Sequence, residues 1–209
     1  MAILKTIFFT VFALGVGWAQ AYSPKDGNVQ ISLGHFWFKS NFEKAGGLPS
    51  PPQQGGLGIV AVGDVSDSGA IEIAIFQMSK RYYREQLGYY IGEKTEIVHI
   101  TMGYRWWLSP SFSAALALFS SYSMGTPNTF LNQAPSELMI KTSAQDITEY
   151  GFDGALQGEI WTQGRYSVFV EGRYSWSATA KVREYADHYG AFVGLRYFLQ
   201  SREKIKEVP

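Results

Sequence analysis

The sequence predicts an all-β fold, an eight-stranded antiparallel transmembrane up-and-down β-barrel. Apolar residues alternate with small or polar residues along several segments, and strand side chains have a period of two. Aromatic residues stand at the ends of these segments, as in strands that cross a bilayer. The composition agrees, because 16% of the 209 residues are aromatic, 22 are glycine and only 17% are charged.

The clearest segment is a predicted hairpin over residues 98–122. One face of its first strand carries Val98, Ile100, Met102, Tyr104, Trp106 and Leu108. After a turn at Ser109, Pro110 and Ser111, the second strand repeats the pattern with Phe112, Ala114, Leu116, Leu118 and Tyr122. Trp and Tyr settle at the lipid headgroup level, so this face is expected to meet lipid.

Residues 1–21 predict a secretory signal peptide: Lys5 gives a positive start, an apolar stretch follows, and Ala19 and Ala21 form an A-x-A cleavage site. The alternative, a membrane anchor helix, is disfavoured because the stretch is shorter than the roughly 20 residues that span a bilayer. Residues 22–199 are predicted to form the barrel, and residues 200–209 a short charged periplasmic tail.

The remaining strands follow the same period. They are predicted near residues 29–38, 57–63, 71–75, 150–160, 166–177 and 189–199. The register at His35 to Phe38 stays open, because both faces are apolar there and a bulge would fit. Residues 80–95 are predicted as a long loop whose flanking strands could extend into it, and residues 124–148 as the longest irregular segment.

Connections alternate between long and short, and outer-membrane barrels keep the short turns on the periplasmic side. The sequence therefore predicts a cell outer-membrane location with both mature termini in the periplasm. The inner aromatic girdle would comprise Trp106, Phe112, Tyr166 and Tyr197, and the outer girdle Tyr122, Tyr150 and Trp176. A soluble barrel of lipocalin type is the alternative, but it would turn the rows of Gly, Ala and Ser toward water.

With these strands the chain resembles the small eight-stranded outer-membrane barrels of Gram-negative bacteria, the group that includes the OmpA transmembrane domain, OmpX and OmpW. The resemblance covers most of residues 28–199 and is architectural. It implies recognition by the barrel assembly machinery, since Gly194, Tyr197 and Leu199 have the spacing of the family's last strand. The chain departs from the family pattern by continuing through Gln200 to Pro209.

Charged residues fall on the inward faces of the predicted strands. They are Glu72, Arg105, Asp153, Glu159, Glu171, Arg173 and Arg196. Desolvated charges must pair, so an interior charge network is expected. It would act as structural filling or, by similarity to OmpA-type barrels, as a charged plug that opens to small solutes. A porin-sized channel is excluded, since it needs about 16 strands.

No metal site and no cofactor are predicted. The chain has no Cys, and its three His have no metal-ligand spacing. The charge balance of 18 basic and 18 acidic residues gives no reason to expect a nucleic-acid partner. An enzymatic alternative is a Ser-His-acid cluster of His188 with Ser175, Ser177 and Glu171, as in a hydrolase or acyltransferase that modifies lipid A.

The predicted outer loops supply a second candidate site. Arg81, Tyr82, Tyr83, Arg84, Tyr89 and Tyr90 could stack on sugars or bind lipopolysaccharide phosphates. The favoured alternative is that the tyrosines extend the outer girdle while the arginines meet lipid phosphates nonspecifically, and a third strand long enough to protrude would have the same composition. The sequence thus predicts a monomeric, non-enzymatic surface protein with a structural or ligand-binding role. Its expected partners are outer-membrane lipid, lipopolysaccharide, the assembly machinery and an unknown extracellular ligand.

Overall fold

The computed structural model describes residue 22, residues 24–42 and residues 50–199. The predicted signal peptide and the predicted tail lie outside these residues. Ten strands and one short 3-10 turn at Ser143–Gln145 are present in the described part. The strands are β1 (Val29–Ser40), β2 (Gln54–Asp64), β3 (Gly69–Gln86), β4 (Tyr89–Ser109), β5 (Phe112–Ser123), β6 (Asn128–Asn132), β7 (Thr148–Gln163), β8 (Tyr166–Ser177), β9 (Glu184–Tyr185) and β10 (His188–Leu199).

Eight of these strands form a closed antiparallel barrel in the order β1-β2-β3-β4-β5-β7-β8-β10. The barrel closes through β1 and β10, which pair without interruption from Val29–Leu199 to Ser40–His188. Closure leaves no free strand edge within the barrel wall, which a lipid environment requires. The predicted eight-stranded barrel is confirmed.

Side chains alternate along every barrel strand between the interior and the outer surface. The outer surface is rich in exposed Leu, Ile and Val, for example Leu33, Ile73 and Leu195. Tyr122, Tyr150 and Trp176 are about half exposed at one end, while Trp106 and Tyr166 are so at the other. We call these the outer end and the inner end, and the outer end also carries the β3–β4 hairpin tip. No helix in the described part is long and apolar enough to cross a membrane.

The prediction of a long loop at residues 80–95 is wrong, because β3 and β4 continue through it and pair from Gly69–Trp106 to Gln86–Tyr89. The hairpin turns at Leu87 and Gly88, which have φ of 53° and 81°. Positive φ at both central residues gives the turn that suits a tight hairpin. The polar and aromatic composition of this stretch reflects a hairpin that projects beyond the outer girdle.

Two other details differ from the sequence prediction. Residues 124–148 are not wholly irregular, since β6 pairs with β4 and the 3-10 turn follows. The pairing of β1 shows no bulge at His35 to Phe38; Phe36 and Phe38 point inward and Trp37 outward. Register shifts occur instead at Trp107–Ser109 and Glu159–Trp161, close to the short inner turns.

Candidate functional site

The barrel interior holds all seven charged residues singled out in the sequence. Each is at most 9% exposed, and Arg105 is fully buried. The strands place them there because every one occupies an inward position of the two-residue period. Since β3, β4, β7, β8 and β10 all contribute, the charges meet near the barrel axis.

Two arginines bridge the carboxylates of opposite walls. Arg105 donates from Nε to Glu72 Oε2 at 2.6 Å, and a second guanidinium N–H is bonded to Glu171. Arg173 donates to Glu72 Oε1 at 2.5 Å, to Glu171 Oε1 at 2.5 Å and to Asp153 Oδ1 at 2.9 Å. The Glu72 carboxylate and the Glu171 carboxylate therefore each accept hydrogen bonds from both arginines. These hydrogen bonds join opposite charges and are stronger than hydrogen bonds between neutral groups.

Gln157 joins this cluster to a second one nearer the inner end. Its Oε1 accepts from Arg105 Nη1 at 3.1 Å and from Arg196 Nη2 at 2.6 Å. Arg196 also donates to Glu159 Oε1 at 2.6 Å. The interior is thus cross-linked by polar side chains over much of its length, and no member can move without breaking contacts to another strand.

Aromatic side chains fill the interior between the charges and the outer end. Phe36, Phe76 and Phe192 pack with ring centroids 5.2–5.5 Å apart. The His99 and His188 rings lie beside them, 5.3 Å apart and nearly perpendicular. His99 Nδ1 is 2.7 Å from Ser121 Oγ, whereas neither nitrogen of His188 has a partner among the described residues.

The structure does not assemble the Ser-His-acid cluster. His188 is paired in register with Ser175, and the two residues share the inward face, as the two-residue alternation predicted. The Ser175 hydroxyl, however, donates to Asp153 Oδ2 at 2.6 Å. Glu171 is occupied by the two arginines. The Ser177 side chain is directed to the Glu149 carboxylate instead of to His188. A serine hydroxyl activated by His188 therefore has no counterpart in this arrangement.

A polar cluster near the outer end was missed by the sequence analysis. Lys80 Nζ donates to both Glu149 oxygens at 2.7 and 2.8 Å, and Tyr82 Oη donates to Glu149 Oε2 at 2.7 Å. Burial, and then the Glu149 carboxylate, raise the pKa of the Tyr82 phenol well above its usual value, which keeps it a donor. Every second residue after Glu72 faces inward, and this series includes Lys80 and Tyr82. Had β3 been predicted at its full length, both residues would have been placed in the interior.

The segment after β6 covers the outer mouth of the barrel. The Glu93 carboxylate accepts from Thr142 Oγ1 at 2.5 Å and from Gln145 Nε2 at 2.8 Å. The Glu184 carboxylate accepts from the Ser143 amide at 2.6 Å and from the Ser143 hydroxyl at 2.5 Å. Acidic side chains on β4 and β9 thereby fix the 3-10 turn over the opening.

The predicted loop-binding residues lie on the projecting hairpin and differ in exposure. Tyr82 and Tyr83 are 2% and 4% exposed, so their rings are not available to a ligand. Arg84 donates to the backbone carbonyls of Lys141 and Val182. Arg81 lies over the Phe130 ring at 4.7 Å. Tyr89 is 40% exposed, and Tyr90 packs edge-on against Phe42.

The inner end is closed by Tyr22. Its ring stacks on Phe198 at 4.8 Å and tilts against Trp107 at 4.9 Å, and its hydroxyl donates to Asp64. Burial, and then the Asp64 carboxylate, raise the pKa of the Tyr22 phenol. Both ends of the lumen are therefore covered by side chains. Within the described residues no group of three or more His, Asp or Glu side chains is placed to hold a metal ion.

Solved structures share this architecture. No family model and no curated protein sequence matches the chain. It is similar to the outer membrane protein OprG from Pseudomonas aeruginosa, at 12% identity and a TM-score of 0.54, over 88% of this chain and 100% of that one. It also aligns with the attachment invasion locus protein Ail of Yersinia pestis in complex with the heparin analogue sucrose octasulfate, at 11% identity and a TM-score of 0.48, over 83% and 99%. Identities this low concern the fold alone.

Proposed function

We propose that this chain, which has the fold of the small eight-stranded outer-membrane barrels, lies in an outer membrane and binds an extended polypeptide at its outer end. The apolar outer surface between two aromatic girdles supports the membrane setting. The cross-linked interior and the covered ends support a role outside the lumen. What remains available to a ligand is the sheet that projects beyond the outer girdle.

The observation that carries this proposal is the open edge of β6. Within the described residues β6 pairs only with β4, and it ends the strand order of the sheet. Four of its five residues are exposed, and none is charged. A free strand edge presents backbone N–H and C=O groups in a row, and partner strands add to such edges by backbone hydrogen bonding.

The register identifies one backbone group at this edge. The Gln133 amide donates to the Tyr90 carbonyl at 3.0 Å, and Asn132 is paired with Ile91. In an antiparallel pair, hydrogen-bonded and non-hydrogen-bonded positions alternate. Asn132 is therefore a non-hydrogen-bonded position, and its N–H and C=O point away from β4 toward the free edge.

Packing holds the edge rigid before a ligand arrives. Phe130 of β6 packs edge-on against Tyr83 at 5.4 Å, and Tyr83 stacks on Phe42 at 4.3 Å. The Arg81 guanidinium covers the Phe130 ring on β6. A strand fixed in this way loses little conformational entropy when a partner strand adds to it.

The test uses purified protein and a display library of linear peptides. Peptides selected on the wild type should bind Asn132→Thr, which keeps the backbone N–H, and should lose binding to Asn132→Pro, which removes it. Both variants lose the Asn132 side-chain bond to the Ala134 amide, so they form a matched pair. Equal binding by the two variants would show that the edge is not the site.

Orientation is tested separately on intact cells. An epitope inserted after Gly88, at the hairpin tip, should be reached by antibody without permeabilising the outer membrane. Labelling only after permeabilisation would reverse the barrel and would remove the basis for an external ligand.

A second candidate function is a narrow gated pore. Several buried polar atoms have no hydrogen-bond partner in the described structure, including those of Thr101, Ser167 and His188. They are spread along the lumen, and buried polar groups of this kind commonly bind internal water. Discrete conductance steps of the purified protein in planar bilayers, altered by Arg105→Ala, would support the pore; a silent bilayer would rule it out.

A further inference from the structure

A groove of about 570 Å³ runs over the lipid-facing surface of β7 and β8. Small residues form its floor, namely Ala114, Gly154 and Gly172. Larger side chains form its walls, namely Leu156, Tyr174, Trp176 and Tyr189.

The groove exists because small residues meet in the strand register. Gly172 pairs with Leu156 on one side and with Ala191 on the other. No atom lies within 4 Å of the position that a Cβ of Gly172 would occupy. The backbone of β8 is therefore bare at this point, although the neighbouring outward positions carry large apolar side chains.

The wall nearest the outer end is fixed by polar contacts. Asn41 Nδ2 donates to Tyr174 Oη at 2.7 Å, and Tyr174 Oη donates to Asp187 Oδ2 at 3.3 Å. The Tyr174 ring contacts Trp176 at a centroid distance of 4.5 Å and lies parallel to Tyr189 at 6.5 Å. These aromatic rings need no rearrangement to accept an occupant.

Lys39 supplies a cation beside this wall, because it belongs to the same row of paired residues as Tyr189 and Tyr174. Lys39 pairs with Tyr189 between β1 and β10, and Tyr189 pairs with Tyr174 between β10 and β8. Lys39 Nζ donates to Ser50 Oγ at 2.7 Å in an exposed setting. Lys39 is the next-to-last residue of β1, so its ammonium group lies at the outer end of the barrel wall, the side on which the proposed setting places the phosphates of outer-leaflet lipids.

We propose that the groove holds one acyl chain of a phosphorylated lipid of the outer leaflet, with the lipid phosphate at Lys39. This rests on the proposed membrane setting. An apolar groove at the outer girdle, with a cation on the strand beside its Tyr189 wall, matches an anionic lipid, which has its charge at the headgroup and flexible apolar chains. A second copy of the chain would leave Lys39 without an anion.

The test measures lipid retention by native mass spectrometry. Purified protein is equilibrated in micelles that contain diphosphorylated lipid A or diacylglycerol, a lipid without phosphate. Wild type should retain one lipid A. Gly172→Leu fills the groove and should lower the retained fraction about tenfold or more, because each buried methylene of the chain contributes to binding. Lys39→Gln should lower retention of lipid A but not of diacylglycerol.

Gly63→Leu is the matched control, since Gly63 also faces outward with no atom within 4 Å but lies on β2, away from the groove. It should retain lipid A as wild type does. If Gly172→Leu does not fold, Ala114→Phe fills the groove from β5. Equal retention of lipid A by wild type and a folded groove variant would overturn the proposal. A mass spectrum in which the wild type is a dimer and the groove variant a monomer would also overturn it, because the groove would then hold a second copy of the chain. The cell-surface epitope, not lipid retention, reports on the orientation.

Discussion

Arg105 Nε lies 2.6 Å from Glu72 Oε2 in the middle of the barrel, with both side chains at most 1% exposed. Neither charge has access to water, so each depends on the other and on Arg173 and Glu171. Removing one member leaves a buried charge without its full set of partners, which costs more than the intact pair contributes.

Arg105→Leu should therefore lower the free energy of unfolding by roughly 3 to 5 kcal/mol. Urea titration of the protein in detergent micelles, followed by tryptophan fluorescence, measures this change. Arg183→Leu is the control, because its side chain is 65% exposed and its contact with Glu85 is 3.4 Å long; it should cost below about 1 kcal/mol. Similar costs for both variants would contradict a tightly coupled interior.

Leu116→Arg should lower the unfolding free energy in lipid vesicles by roughly 2 to 4 kcal/mol, since Leu116 is 52% exposed between the two girdles. Met139→Arg, at a position 79% exposed beyond the outer girdle, should have little effect. Tolerance of Arg at Leu116 would mean that this face of β5 does not meet lipid.

Glu93→Gln should loosen the cover of the outer mouth without unfolding the barrel. The charged acceptor of Thr142 and Gln145 is lost, whereas the barrel pairing of β4 is retained. Amide hydrogen exchange at residues 142–146 should accelerate, with the exchange of β7 and β8 unchanged. Glu96→Gln, whose side chain is 57% exposed, serves as the control. Unchanged exchange at residues 142–146 would show that the cover is held by other contacts.

His188→Leu should leave stability unchanged or raise it by up to about 2 kcal/mol, because neither ring nitrogen has a partner among the described residues. His99→Leu should lower it by about 1 kcal/mol, since it removes the bond to Ser121. Both are measured by urea titration. Strong destabilisation by His188→Leu would indicate that the imidazole is bonded in solution, for example to an internal water.

The period of two was sufficient to predict much of the fold. It placed Arg105, Glu171 and Arg196 inside, and Leu116 and Trp176 outside, because parity alone decides the face of a strand residue. Strand number and closure followed from counting such segments. The C-terminal part of β3 was not predicted, because residues 80–84 have the polar composition of a loop. The two-residue alternation nevertheless continues there, and it places Lys80 and Tyr82 on the inward face.

Contacts between side chains were beyond reach of the sequence. The two-residue alternation put His188 and Ser175 on one face, but it gives no distances between side chains. In the structure the Ser175 hydroxyl is bonded to Asp153 instead. The Lys80–Glu149 pair joins β3 to β7, which are not neighbours in the barrel, so it depends on the shear and tilt of the whole wall. The groove at Gly172 likewise depends on which small residues the register brings together.

The pairing of β1 with β10 bears on how the chain acquires its shape. It joins the first and last described strands, so its contacts have nearly the largest sequence separation within the described residues. Such contacts carry a high loop-closure cost and slow the search for the native state. Until Leu199 has met Val29, each of the two strands exposes an edge of unpaired backbone. Formation of this last barrel seam therefore decides when a folding intermediate stops being prone to aggregation.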